Sequence, residues 1–287
     1  MKVVQPSFTP EPAKPRRNAD LALRLWSSLV LIPVSLLGAW WGGPAAYALA
    51  AIVAAIVFAE WATIVGRSPS IWPSNAETAL GTAFVVLAAL LAGLYGVVIG
   101  LCVMIAGALV ALALSRSFWL ALGSLYAGLL GVSLAALRAD PAYGLTAIVV
   151  LLVVVWGTDS IAYFAGRGIG GPKLWPRVSP KKTWSGSIGG LIGGVALALI
   201  APVLLGVPVG WKLVALLVGL SLVSQIGDLV ESALKRLFDK KDSSTIIPGH
   251  GGMMDRVDGL IFAGAAAMLV GWAHAGPAEI GRGMLLW

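Results

Sequence analysis

Cysteine is nearly missing from these 287 residues: Cys102 stands alone, inside an apolar run. A disulfide framework and a cysteine-based metal cluster are both excluded. Histidine is as scarce, with only His250 and His274, so a three-histidine zinc site cannot be assembled. No G-x-S-x-G stretch occurs, which removes the nucleophile elbow of a serine hydrolase. The largest deficit is charge. Asp, Glu, Lys and Arg make up 11% of the chain, against roughly 25% in a soluble domain. Neither a water-facing surface nor a disordered chain can be built from that. What is present instead is 59% hydrophobic residues and 36 glycines. This is the composition of a protein that lives in a bilayer.

Charge-free runs mark the spans. Residues 25–59 are uncharged and broken by Gly42-Gly43-Pro44, which reads as a helical hairpin. Residues 78–115 are 38 uncharged positions, far beyond the ~20 that cross a bilayer, and must fold back near residues 93–96. Residues 117–137, 141–158 with an extension to 165, and 183–211 supply three more, and residues 212–230 and 259–278 the last two. The expectation is an all-α polytopic membrane protein of about nine transmembrane helices with cytoplasmic catalytic loops. Residues 1–20 hold four prolines with Lys2, Lys14, Arg16 and Arg17 and no apolar core, so they read as a cytoplasmic tail rather than a signal peptide. Residues 21–140 are mostly plain apolar helix. Residues 141–287 carry the polarity, concentrated in residues 155–186 and 225–260.

With a cytoplasmic N-terminus, 17 of the 20 Lys and Arg residues fall inside, and only Arg138, Lys212 and Arg282 outside. The positive-inside rule supports that orientation, and tryptophans such as Trp40, Trp61, Trp184 and Trp211 sit at span ends as an interfacial belt would. The expected location is the inner (cytoplasmic) membrane, crossed many times. The net charge of +7 is thereby explained without nucleic acid.

The first polar segment runs Trp156-Gly157-Thr158-Asp159-Ser160, then the glycines of residues 168–171, then Ser179-Pro180-Lys181-Lys182-Thr183. Asp159 lies about two turns inside its span, where a carboxylate costs a few kcal/mol and needs a partner or a wet cavity. The glycines follow a membrane helix rather than a strand, so a nucleotide-loop reading fails on context. Lys181 and Lys182, flanked by hydroxyls before a helix start, suit an anion site; they also suit ordinary positive-inside lysines beside an N-cap. Both readings stay open on this stretch alone.

The second segment is denser. Asp228, Glu231, Ser232 and Lys235 fall at i, i+3, i+4 and i+7, which puts Asp228, Ser232 and Lys235 on one helical face. After the loop, Asp255-Arg256-Val257-Asp258 opens the last span, with negative charge near a helix N-terminus. Carboxylates among this many cations suit a hard divalent ion bound to phosphate, since Mg²⁺ takes one or two carboxylates plus substrate oxygens. Ion pairs that merely fix helix ends are the plainer alternative, but they would not be set inside the span. Glu60, beside Trp61, reads as an interfacial cap or a distant member of the site, undecided between the two.

The stretch Ser232-x-Leu234-Lys235-Arg236-x₄-Lys241-Asp242-x-Ser244-x₂-Ile247-Pro248-x-His250-Gly251-Gly252-Met253-x-Asp255-Arg256-Val257-Asp258 resembles the signature of the phosphatidate cytidylyltransferases, or CDP-diglyceride synthetases. The block from Ser179 to Thr183 looks like a second hallmark of that family. The resemblance implies that CTP and phosphatidate give CDP-diacylglycerol and pyrophosphate, with Mg²⁺ required, among membrane lipids. It implies a catalytic set of Asp159, Lys182, Asp228, Lys235, Arg236, Asp255 and Arg256. Asp228 and Asp255 lead as metal ligands, with Asp159 the third. Ser179, Lys181, Thr183, Ser232, Lys241, His250 and Asp258 are implied on the substrate side, His250 without a proton-transfer role. Whether a second, monovalent cation joins the site, and whether the chain pairs as a homodimer, stays open. A CTP-dependent lipid kinase, or a lipid or ion transporter using the same carboxylates, are the alternatives.

Overall fold

The computed structural model describes residues 17–247 and 251–287, with side chains from residue 29 onward. The chain runs α1 (Arg17–Trp41), α2 (Gly43–Ile64), α3 (Ala76–Tyr95), α4 (Val97–Ser115), α5 (Phe118–Arg138) and α6 (Gly144–Ile169). It continues through β1 (Lys173–Trp175), β2 (Ser179–Thr183), α7 (Trp184–Ala198), α8 (Ile200–Leu204), α9 (Trp211–Leu237), α10 (Met254–Ala275) and α11 (Ile280–Leu285). Among the described residues, eight helical stretches are long and apolar enough to cross a membrane, and α1 adds a shorter apolar stretch, Leu29–Trp41. The expected count of about nine is therefore close.

The turns form where the sequence puts residues suited to them. Gly42 and Gly43 both have positive φ between α1 and α2, and a side chain on Gly42 would collide with the Arg138 guanidinium. Asn75 caps α3 by accepting from Thr78 N at 2.9 Å, Ser117 caps α5, and Thr183 caps α7 by accepting from Gly186 N at 3.1 Å. The span expected over residues 183–211 breaks after Ala198, because Pro202 cannot donate to the carbonyl four residues back and its ring crowds it. Between the spans expected to end at 165 and to start at 183, the chain forms a short antiparallel hairpin, with Lys173 opposite Thr183 and Trp175 opposite Ser179. That hairpin was not anticipated.

At the centre lies α5, the most buried of the spans, against α2, α3, α4 and α10. Trp61 ties α2 to it by donating Nε1–H to Trp119 O at 2.8 Å. The closest pair is α6 and α7. Gly186, Gly190 and Gly194 make a stripe at four-residue spacing on α7, against which Ala162 and Thr158 of α6 pack almost backbone to backbone. Lipid chains are as apolar as leucine, so such contacts rest on close packing rather than on the hydrophobic effect. Large apolar residues such as Leu109, Ile192 and Leu269 point outward.

Charged residues collect at the two ends of the bundle. At one end Arg138 donates to Ala39 O, Arg282 N donates to Asp140 Oδ2 at 2.7 Å, and Lys212 lies 5.9 Å from the centre of the Trp287 ring. These are the three basic residues expected on the sparsely charged side. At the other end sit β1, β2, the end of α9 and the start of α10.

Candidate active site

Four segments meet at the charged end. The last turns of α9 supply Asp228, Glu231, Ser232 and Lys235, spaced so that they share one face. The first turn of α10 supplies Asp255 and Arg256, β2 supplies Lys182, and α6 supplies Asp159. Lys182 Nζ makes a close ion pair with Asp228 Oδ2, each side chain about a quarter exposed at 27%. Ser232 Oγ donates to Asp228 Oδ1 at 3.4 Å. Asp159 lines the cavity described below, with Asp228, Lys182 and Arg256 as its charged neighbours. Its neighbour Thr158 is fully buried and shares a 2.8 Å hydrogen bond with Ser221 on α9, which holds α6 and α9 in register. Asp159 and Asp228 are thus two like charges kept close by packing, with Lys182 compensating them.

The second half of the site turns on Lys235. Its ammonium reaches Glu231 Oε2 at 2.6 Å and Asp255 Oδ1 at 2.5 Å, with the Glu231 side chain only 1% exposed. Asp255 also accepts from Ser243 N at 3.0 Å, Ser243 Oγ at 2.9 Å and Gly252 N at 2.9 Å. An ionised carboxylate has about four lone-pair sites. Lys235, the two Ser243 donors and Gly252 take them up, so a cation reaching Asp255 would have to displace one of these.

Behind Asp255 lies a residue from the other half of the chain. Glu60 on α2 is fully buried. Its carboxylate accepts from Met254 N at 2.6 Å, Met253 N at 2.8 Å, Ser244 Oγ at 2.6 Å and Ser243 Oγ at 3.2 Å. The first amides of a helix lack partners within it, and here a side chain from a distant helix satisfies two of them. These bonds fix the start of α10 at Met254, one residue before the Asp255 expected to open the span.

The remaining expected residues divide. Thr183 is buried and its hydroxyl caps α7. Ser179 is half-buried and Lys181 exposed on β2, while Lys241 is exposed in the loop after α9. Arg236 donates to Lys240 O at 3.0 Å, rather than to an acid. Arg256 is exposed at the cavity mouth. Asp258 is buried, accepts from Gly259 N and interacts electrostatically with Asp228, Glu231 and Asp159. His250 lies outside the described residues. Glu231, Ser243 and Tyr126 were not anticipated. Tyr126 is buried with its hydroxyl unpartnered, as is Glu231 Oε1, and both lie within the field of Asp258. The signal for Glu60 was a single charge in a long apolar helix; Glu231 was visible at i+3 from Asp228, and Tyr126 carried none.

Among the described residues no three His, Cys, Asp or Glu side chains converge closely enough to enclose a metal ion by themselves. Mg²⁺ does not ask for that, since substrate phosphates complete its shell. Asp159 and Asp228 are hard oxygen donors of like charge, a donor set that suits such an ion.

The site opens into a cavity of about 480 Å³ that carries Asp159, Ser160, Asp255 and Arg256 at one end and aliphatic side chains of α1, α2 and α6 beyond. Charged groups thus meet an apolar furrow at the depth of the membrane.

Residues 22–273 match the model of the Cytidylyltransferase family. The chain is 40% identical over 263 residues to the phosphatidate cytidylyltransferase of Brucella abortus biovar 1 (strain 9-941), covering 90% of this chain and 96% of that protein. The phosphatidate cytidylyltransferase of Bacillus subtilis (strain 168) is 43% identical over 145 residues, 50% of this chain and 54% of that protein. That of Haemophilus influenzae (strain ATCC 51907 / DSM 11121 / KW20 / Rd) is 44% identical over 142 residues, 48% of this chain and 49% of that protein. A match running from α1 to the last turns of α10, through every segment that builds the site, means that the chain belongs to the cytidylyltransferase family.

Proposed function

We propose that the chain transfers the cytidylyl group of CTP to phosphatidate, giving CDP-diacylglycerol and pyrophosphate. The observation that carries the reading is the junction of the Asp159–Asp228–Lys182 cluster with an apolar furrow. Both a polyanion and a lipid tail have somewhere to go from one point. An oxygen of the phosphatidate phosphate attacks the α-phosphorus of CTP, and the bond from that phosphorus to the β-phosphate oxygen breaks. The attacking oxygen is already ionised, so positioning and charge neutralisation matter more than a protein nucleophile or base. Lys182 and Arg256 stand where the two phosphates would meet, and Lys235 holds Asp255 and Glu231 in place beside them. Lys181, Arg236 and Lys241, exposed around the entrance, would draw in the triphosphate. Ser179 and Ser232 offer hydroxyls to phosphate. Asp159 and Asp228 would hold Mg²⁺, with Asp255 and Asp258 adding negative charge nearby, and the ion would supply charge neutralisation to the phosphates.

The charged end is assigned to the cytoplasmic side of the inner membrane, because 17 of 20 basic residues then lie inside. The test is purified protein given CTP labelled at the α- or the γ-phosphate. Label from the α position should enter lipid while pyrophosphate is released. Transfer of γ-label alone would identify a lipid kinase, and substrate movement without pyrophosphate a transporter.

A further inference from the structure

The furrow continues well past the carboxylates. Along α6 it extends from Ser160 to Ile148, and its far end is formed by Ala39, Ala46 and Arg138. At 1.5 Å per residue that is about 18 Å, a little over half of a ~30 Å hydrocarbon core. The walls between the ends are aliphatic except for Trp156 of α6, one turn from Asp159 and Ser160, and the hydroxyl of Ser35 on α1 is turned back onto Leu31 O at 2.8 Å. Water would find few partners there, and neither would a nucleotide. Ile32 and Val34 of α1 and Ile52 of α2 line the furrow and are themselves exposed, so its side faces the bilayer.

The far end is closed by a specific fastening. Arg138 Nε donates to Ala39 O at 2.5 Å, and its terminal nitrogen reaches Trp40 O at 3.5 Å. A guanidinium on the last carbonyls of α1 fixes that helix end across the furrow. One end thus carries Asp159, Asp255 and Arg256, the middle is apolar, and the other end is shut by the Arg138 fastening.

We propose that this furrow seats one acyl chain of the lipid substrate, with Ala39, Ala46 and Arg138 as its floor, and that the depth between Arg256 and this floor sets chain-length preference. The inference rests on the lipid-phosphate reading of the site. Two features argue for a substrate chain over bulk lipid: the furrow is continuous with Asp159 and Arg256, and its length matches a chain from one leaflet. Furrow and bilayer are equally apolar, so burial itself supplies no selectivity. Selection comes from fit: the furrow is shut at its floor and open along its side, so a chain too long for the floor must bend out between α1 and α2 and loses its packing contacts there.

The experiment compares dioctanoyl and dipalmitoyl phosphatidate on the full chain in mixed micelles. Ala46→Phe and Ile148→Trp, at the deep end, should lower kcat/KM for the long chain relative to the short by about tenfold or more, the scale of a misfitted methylene or two. Ile56→Trp, near the headgroup end, should depress both substrates alike. An unchanged long-to-short ratio in both deep-end variants overturns the proposal. Because those variants could fold poorly, a second measurement uses the unaltered protein. Phosphatidate carrying a diazirine at the end of one chain should label peptides containing Ala39, Ala46 or Ile148. Unlabelled phosphatidate should compete, and diacylglycerol should not. Labelling confined to the outward faces of α3 and α4, or equal competition by both lipids, overturns it. If the wild type makes no CDP-lipid from either substrate, the proposed function fails, an outcome separate from these.

Discussion

Glu60 and Asp255, from opposite halves of the chain, grip the same hydroxyl: Ser243 Oγ lies 3.2 Å from Glu60 Oε2 and 2.9 Å from Asp255 Oδ2. Through that serine the second helix fixes the loop and the helix start from which Asp255 and Arg256 project. Lys235 bridges Asp255 onward to Glu231, so one network runs from α2 through α10 to α9.

Glu60→Gln should therefore be costly at a distance from the chemistry. The amide keeps one acceptor oxygen and turns an NH₂ toward backbone amides that need an acceptor. Stability should fall by about 2–4 kcal/mol, as for other disrupted buried networks. Turnover measured well below the unfolding midpoint should fall at least tenfold, because Asp255 and Arg256 lose their register. Thermal unfolding in detergent and steady-state kinetics check both numbers.

Lys235→Ala and Lys240→Ala should behave differently. Lys235 is nearly buried between two carboxylates, and removing it leaves them facing each other, an effect of about 3 kcal/mol or more. Lys240 is exposed in the loop, where water and salt screen it, and its loss should change activity by under ~1 kcal/mol. Equal defects at fixed lipid composition and ionic strength would mean that both lysines act only through membrane-surface charge.

The carboxylates separate by role. Asp159→Asn and Asp228→Asn should cut turnover by orders of magnitude, raise the Mg²⁺ concentration needed for half-maximal rate and leave the unfolding midpoint nearly unchanged. Asp255→Asn should cut turnover and also lower the midpoint, because an amide cannot accept from Lys235, Ser243 and Gly252 together. Normal Mg²⁺ dependence in both Asp159→Asn and Asp228→Asn would remove the metal from that pair.

Topology gives a further check. In a Cys102→Ser background, single cysteines at Lys241 and Arg282 should react with a membrane-impermeant thiol reagent from opposite sides, Lys241 from the cytoplasm. Reaction of both from one side would contradict an odd number of crossings between them.

The polytopic helical fold and the gathering of the charged residues into two polar segments were legible in the sequence alone. A bilayer leaves a backbone no water to bond with, so long uncharged runs must become helices wherever they occur. Asp228, Ser232 and Lys235 share a face because helical periodicity places them there, whatever surrounds the helix.

Pairing between segments was decided only by the tertiary structure. Lys235 shares a face with Asp228 but turns to Glu231 and Asp255, while Lys182, on a hairpin not anticipated, takes Asp228. Glu60 could not be read as part of the site, because its four donors lie far along the chain and meet it only once α2 packs beside α10. The furrow likewise exists only between helices, its depth set where Arg138 of α5 reaches the end of α1. Periodicity and charge act along a segment and are written in it. Which buried charge meets which is settled by packing, since each must find a partner among the groups that packing brings within reach.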